Sequence, residues 1–520
     1  MGWCMMIPRG EEKMSREAGV LLPIFSLPSK YGIGCFDHAA YEFVDQLARA
    51  GQSYWQILPL GASSHAGAYD SPYQAFSAFG GNPYYISLEA LMEEGTLTAA
   101  ECDCQHFGSD ASKVDYDLLF QYRLPLLRKA YERSHITTVQ AYVDFERCNF
   151  WWLDDYALFM AVKSFFGGAG WMEWPEDIRM RYGYAMDYYR EKLYFEIEFH
   201  KYLQFKFYEQ WSCLKDYANK KHIRIIGDIP IYVSLDSADV WAHPEMFQLN
   251  EAHLPTQIAG CPPDQFSEDG QVWGNPLYRW EYHRDQNYHW WVTRMWYSFQ
   301  LFDVVRIDHF RGFDEFFSIP ADSQKATEGH WEKGPGMELF HELRKQLGDR
   351  AIIAEDLGYM TDSVRALVRD SGFPNMKVLQ FAFDPDDAGW GNEHLPNYYQ
   401  PNSVVYTGTH DNDTLFGWVA SLNKEERDHV LHYLGENRIS ARGLAKKLLR
   451  LGLMSCPRIC IVPLQDWMGL DHTCRVNTPG TVDDNWCWRL QPEMFTGDME
   501  REMLELTGCY GRLNWKALEA

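Results

Sequence analysis

"DVVRIDHFRG", residues 303–312, is the stretch on which the reading of the chain turns. Val304, Val305 and Ile307 form a short apolar run of the kind a parallel sheet buries on both faces. Arg306 and Asp308 flank Ile307, and because side chains alternate along a strand they share one face. Charges in such a place are costly unless paired and hydrogen-bonded. The run therefore predicts a strand that opens at its end onto a polar pocket. Arg306 is expected to hold Asp308 ionised, since a nearby opposite charge lowers a carboxyl pKa.

Seven other apolar runs have the same form: "GVLLPIF" (19–25), "YWQILPL" (54–60), "IRIIGDI" (223–229), "AIIAED" (351–356), "KVLQFAF" (377–383), "SVVYTGTHD" (403–411) and "RICIVPL" (458–464). Eight such strands, separated by segments of helical period, predict an α/β fold, a (β/α)8 TIM barrel with helices outside. Large insertions interrupt it. Residues 1–61 are read as the first part of the barrel, 62–222 as a mainly helical insertion and 223–520 as the remainder. Within 62–222, "WWLDDYALFMAVKSFF" (151–166) reads as helix. Phe195, Phe199, Leu203, Phe207, Trp211 and Leu214 form one apolar helical face, expected to pack against the barrel. Two further long connections, 243–302 and 312–350, are read as loop insertions. The chain ends soon after the eighth run, so no C-terminal β-sandwich domain is expected.

The 48 Lys and Arg against 73 Asp and Glu leave a net charge of −25, which argues against nucleic acid and anionic membrane as partners. No apolar run approaches the roughly 20 residues of a membrane-spanning helix. The start, "MGWCMMIPRGEEK", has no signal-peptide layout, and no plastid transit peptide is evident. Twelve scattered cysteines without a C-x-x-C pair suggest reduced thiols and a cytoplasmic location. Aromatic residues make up 16% of the chain. Most must fill the core, but Trp and Tyr also suit a groove for a flat ligand such as a sugar ring.

In a (β/α)8 barrel the catalytic groups come from the C-terminal strand ends. Those ends carry Asp228, Asp308, Glu355 with Asp356, and His410 with Asp411. One such acid is readily explained as a helix N-cap; four strands ending in acids are not. Metal-binding, phosphate-loop, dinucleotide and serine-hydrolase motifs are all missing, so neither metal nor cofactor is expected. Metal-free carboxylate chemistry remains, and glycosyl transfer, which needs a nucleophile and a proton donor, is its commonest form.

The chain resembles the 4-α-glucanotransferases called amylomaltase or disproportionating enzyme, within the α-amylase clan. The resemblance rests on "SLPSKYGIG" (26–34), "YWQILPLG" (54–61), "DSPYQAFSAFGGNPYYISL" (70–88), "WLDDYALFMA" (152–161), "GDIPIYV" (227–233), "WGNPLYRW" (273–280), "VRIDHFRG" (305–312), "AEDLG" (354–358), "THDND" (409–413) and "NTPGT" (477–481), in order over about 450 residues. It implies Asp308 as the nucleophile, Glu355 as the acid/base and Asp411 as the third acid, gripping the hydroxyls of the distorted sugar. Arg306, His410, Asp228 and Tyr73 are implied around them, with Asp70 and Ser71 shaping the turn before Tyr73. Trp273 and Asn275 would border the groove, and His309 and Asp356 are placed among the substrate-binding groups. Residues 250–271 correspond to a flexible loop over the active site. The implied activity is retaining transfer from an α-1,4-glucan donor to the 4-hydroxyl of glucose or a maltooligosaccharide. An α-glucan hydrolase and an inactive glucan-binding protein are the alternatives.

Overall fold

A computed structural model of the chain describes residues 16–62, 70–263, 269–383, 389–482 and 484–520. Its strands in chain order are β1 (Glu17–Leu21), β2 (Tyr54–Gln56), β3 (Arg224–Pro230), β4 (Gln257–Cys261), β5 (Gln271–Pro276), β6 (Val304–Asp308), β7 (Glu315–Pro320), β8 (His330–Lys333), β9 (Ile352–Ala354), β10 (Asn375–Val378), β11 (Ser403–Tyr406) and β12 (Ile459–Pro463). Eight of them close a parallel barrel in the order β1-β12-β11-β10-β9-β6-β3-β2. These are the eight runs identified from sequence. Most end sooner than the runs do, and for two of them the reason is local. β1 stops before Pro23, which has no N–H to offer a ladder, and β10 gives way at Leu379–Phe383 to a 3-10 turn.

Alternation along β6 fixes what faces where. Val305 and Ile307 pack outward among the helices, whereas Val304 joins Tyr54, Ile226, Ile353, Val404 and Ile461 in the barrel interior. Arg306 and Asp308 continue that inner face toward the C-terminal rim. β3 pairs with β6 so that Asp228 lies opposite Arg306. Gly227, just before Asp228, is required by packing: a Cβ there would stand 2.1 Å from the Phe302 ring.

Between β2 and β3 the helices Gln140–Phe165 and Tyr194–Lys220 lie against each other. The first starts eleven residues before the expected 151. On the second, Phe199, Leu203, Phe207, Trp211 and Leu214 are buried, with Trp211 Nε1 donating to the Leu301 carbonyl at 3.1 Å. Phe195, expected on the same stripe, is instead 78% exposed, because the face turns inward only one turn later. No described helix is long and apolar enough to cross a membrane.

A second sheet has no counterpart in the sequence reading. β5, β4, β7 and β8 form it in that order, all antiparallel, and β6 of the barrel interrupts them in the chain. In the segment 250–271, expected as a flexible loop, Gln257–Cys261 form β4 and Gln271 begins β5; residues 264–268 of it lie outside the described residues.

Candidate active site

A cleft of about 650 Å³ lies at the C-terminal rim of the barrel, lined among others by Ser71, Tyr73, Trp273, Asn275, Asp308, His309, His410 and Asp411. Its floor is a buried ion network. Arg306 Nη1 donates to both Asp228 oxygens at 2.8 and 2.7 Å and to Asp308 Oδ1 at 3.0 Å. The Arg306 and Asp228 side chains are 4% and 0% exposed, while Asp308 keeps 29%. Tyr73 donates its hydroxyl to Asp228 Oδ2 at 2.9 Å, and its oxygen lies 2.9 Å from His410 Nε2. His410 Nε2 is 3.3 Å from Asp411 Oδ2, and Asn477 Nδ2 donates to Asp411 Oδ1 at 2.6 Å. A continuous polar chain thus runs from Asp308 to Asn477.

Glu355, directly after β9, is held by two main-chain donors. The N–H of His309 reaches its Oε2 and that of Leu357 its Oε1, both at 2.6 Å. His309 meets this geometry in a left-handed conformation with φ 52°. Burial, reinforced by the charge of Asp308, pushes the Glu355 carboxyl well above the usual carboxylate range, against the pull of Arg306 and the two N–H groups.

Asp308 is pulled both ways. Arg306 does lower its proton affinity, but burial outweighs that effect and the net shift is upward. The reason is visible in the contacts: the guanidinium also serves Asp228, whose charge, with that of Asp411, opposes a further negative charge. Burial thus raises both central carboxyls, and the charge of Asp308 adds to the rise at Glu355. Asp411 moves the other way. Burial raises it, but the His410 ring and Asn477 prevail and bring it down to about 2. Burial disfavours a charge on His410, yet Asp411 outweighs it and the His410 pKa rises.

The remaining groups divide. His309 lines the cleft edge-to-face against Trp273, with ring centroids 4.8 Å apart. Its Nε2 has no hydrogen-bond partner among the described residues, and burial pushes its pKa down to about 3, so the ring is neutral. Asn275 is a strut, donating to the Val233 carbonyl at 2.8 Å and accepting from Gln74 at 3.3 Å. Ser71 Oγ accepts from the Tyr73 N–H at 3.3 Å, which fixes the turn as expected. Asp356 does not line the cleft: its carboxylate accepts from the Met376 N–H at 2.9 Å and Asn375 Nδ2 at 3.1 Å, anchoring the start of β10. Asp70 is also absent from the lining, and burial with the nearby Asp117 raises its pKa to about 7.

Three contributors carried no sequence signal of their own. Asn477 supports Asp411 from 66 residues away. Arg475 donates to the Asp411 carbonyl and, at 2.6 Å, to that of Asn477. Asp466 accepts from Thr407 Oγ1 and the Leu415 N–H, both at 2.6 Å, and so pins both ends of the segment that carries His410 and Asp411. Asn477 stands in the quoted "NTPGT", but an uncharged side chain in a loop gives composition and periodicity nothing to detect.

Residues 22–495 match the family model described as 4-alpha-glucanotransferase. The 4-alpha-glucanotransferase of Streptococcus pneumoniae is 46% identical over 502 residues, covering 96% of this chain and 98% of that protein. That of Clostridium butyricum is 44% identical over 491 residues, covering 94% and 99%. Among solved structures, the amylomaltase from Streptococcus agalactiae in complex with acarbose superposes with a TM-score of 0.92 at 40% identity, over 96% of this chain and all of that one.

Proposed function

The chain belongs to the 4-alpha-glucanotransferase family and is an enzyme acting on α-glucans; from that premise we propose that it transfers glucan segments by double displacement, with Asp308 as nucleophile and Glu355 as acid/base. The observation that carries this reading is a pair of carboxyls on neighbouring strands held in different ways, Asp308 by the Arg306 guanidinium and Glu355 by the N–H groups of His309 and Leu357. A retaining mechanism asks for that division of labour.

In the first step Asp308 attacks the anomeric carbon as the bond to the glycosidic oxygen breaks, and Glu355 gives its proton to that oxygen. The shortened glucan departs with the proton, leaving the other segment as a glycosyl ester on Asp308. In the second step Glu355 takes the proton from the 4-hydroxyl of an incoming glucan or glucose. That oxygen attacks the anomeric carbon and the ester bond breaks, so both carboxyls return to their starting states.

Asp411, ionised at neutral pH, and His410 are positioned to hold the hydroxyls of the sugar at the reacting centre. The unpartnered Nε2 of His309 supports a further hydroxyl contact, and the faces of Tyr73 and Trp273 support stacking on sugar rings. Arg306, Asp228 and Tyr73 act from below by fixing Asp308 and His410. We read 1–61 and 223–520 as the catalytic barrel with the second sheet beside its cleft, and 62–222 as the inserted helical unit. Among the described residues Cys35, Cys102, Cys460 and Cys487 are buried free thiols, which supports a reducing compartment such as the cytoplasm.

Incubation with maltotriose alone tests the reading. Transfer yields glucose together with a ladder of chains longer than the substrate. Products that are all shorter than maltotriose would make the enzyme a hydrolase and overturn it.

A further inference from the structure

The segment 407–415 carries His410 and Asp411 from the end of β11 into the helix Leu415–Ser421. Its tip is a turn that closes on itself. Asn412 Oδ1 accepts from the N–H and the hydroxyl of Thr409, both at 2.9 Å, and Thr409 Oγ1 accepts from the Asp411 N–H at 3.2 Å. Such local bonds give the turn its shape but not its place against Asp308 and Glu355, which belong to other parts of the barrel rim. Place has to come from tethers to the barrel, and the two ends of the segment share one. Thr407 Oγ1 and the Leu415 N–H donate to the two oxygens of Asp466, each at 2.6 Å.

Asp466 stands on the helix Leu464–Met468, which follows β12 without a break. β12 is the barrel neighbour of β11, with Ile461 opposite Tyr406, so the tether is short and rests on the sheet itself. An acid here is costly. Asp466 is buried, burial pushes its pKa up to about 7 against the pull of both hydrogen bonds, and no cation pairs with it among the described residues. The site asks for an acid all the same, because both partners arrive as donors and a carboxylate offers two acceptor oxygens. An asparagine would keep the Leu415 bond but would turn its own N–H toward the Thr407 hydroxyl. Thr407 and Leu415 are themselves buried, so water cannot take the place of Asp466.

We propose that Asp466 is a positioning residue for glycosyl transfer, acting through Thr407 and Leu415 to set where Asp411 and His410 meet the sugar. It rests on the reading of Asp411 as a group that holds the hydroxyls at the reacting centre. The test is a double-variant cycle on maltotriose: Asp466→Ala, Asp411→Asn and the two combined, with kcat and KM measured for each. Asp466→Ala is expected to lower kcat about 10²-fold, the scale of a 1 Å misplacement, and to leave KM within about threefold. The combined variant should be at most about threefold slower than Asp411→Asn alone, because the group that Asp466 places is already disabled. Asp466→Asn, which keeps one bond and reverses the other, should recover kcat to within about tenfold of the wild type. Losses that multiply in the combined variant overturn the proposal, since a mere support of the fold acts independently of Asp411. So does a wild-type kcat in Asp466→Ala. If Asp466→Ala does not fold, Thr407→Val, which removes one bond at almost equal bulk, takes its place in the cycle under the same criteria. A wild-type kcat in Asp411→Asn would strike the role of Asp411 and the proposal with it. Products that are all shorter than maltotriose would overturn the proposed function alone, and the cycle then decides the proposal on the rate of hydrolysis.

Discussion

Replacing Arg306 by Met removes the charge at the centre of the network while keeping much of the side chain's bulk. The guanidinium makes three contacts of 3.0 Å or less to two carboxylates, one of them fully buried. Without it Asp228 retains the Tyr73 hydroxyl and no cation from Arg306. Breaking a buried pair in this way costs about 3–5 kcal/mol. For a chain of this size that is a fall in Tm on the order of 5 °C. The penalty must depend on pH. In the variant Asp308 loses the cation that opposes its upward shift and binds its proton still more tightly folded than unfolded, where Asp has a pKa of about 3.9. Stability therefore falls as pH rises through that window and levels off above the raised folded value. Thermal melts followed by circular dichroism at pH 5 and pH 8 measure this directly. The expected deficit against wild type is larger at pH 8, and Arg306→Lys, which keeps the charge, loses far less. A deficit of equal size at both pH values, or no deficit, would refute the electrostatic account of the floor.

Glu355→Gln removes the proton donor, so transfer from maltotriose should fall by at least about 10³, or roughly 4 kcal/mol of barrier. A donor with a fluoride leaving group needs no protonation, and its first step should remain fast in stopped-flow release of fluoride. The kcat/KM profile of the wild type should be bell-shaped, with its acid limb from Asp308 and its alkaline limb from Glu355. Both limbs should lie at higher pH than free carboxyls near 4, because both groups are raised; two limbs below pH 5 would contradict this. Asp356→Asn should leave the maltotriose kinetics within about threefold while costing about 1–3 kcal/mol of stability, since it weakens the anchoring of β10 rather than a sugar contact. Steady-state rates and a melt on the same sample decide it.

The barrel was legible because burial on both faces leaves a plain mark: eight apolar runs, each ending where polar chemistry begins. Arg306 and Asp308 stood out for the same reason, as charges on the inner face of a strand. The second sheet left no such mark. Its strands are short, partly exposed and separated in the chain by β6, and the Pro, Gly and Trp content of the region resembles loop. The ionisation of Asp308 was legible only in part. Sequence places Arg306 two residues away, but that Asp228 shares the guanidinium follows from strand register across the barrel. Adjacency to Glu355 said nothing of where Asp356 turns: both follow the end of β9, and only the contacts to Met376 and Asn375 show its carboxylate directed at the start of β10. Phe195 fits the helical period of its neighbours and still faces water, since periodicity says nothing of where a packed face begins.

The central claim is that Asp308 becomes covalently glycosylated. Glu355→Gln, incubated with a maltosyl fluoride donor and no acceptor, should trap that state, because the second step lacks its base. After digestion, mass spectrometry should find the peptide containing "VRIDHFRG" heavier by one maltosyl group, with fragmentation placing it on Asp308. An unmodified Asp308 under conditions where fluoride is released, or the sugar found on another carboxyl, would contradict the account.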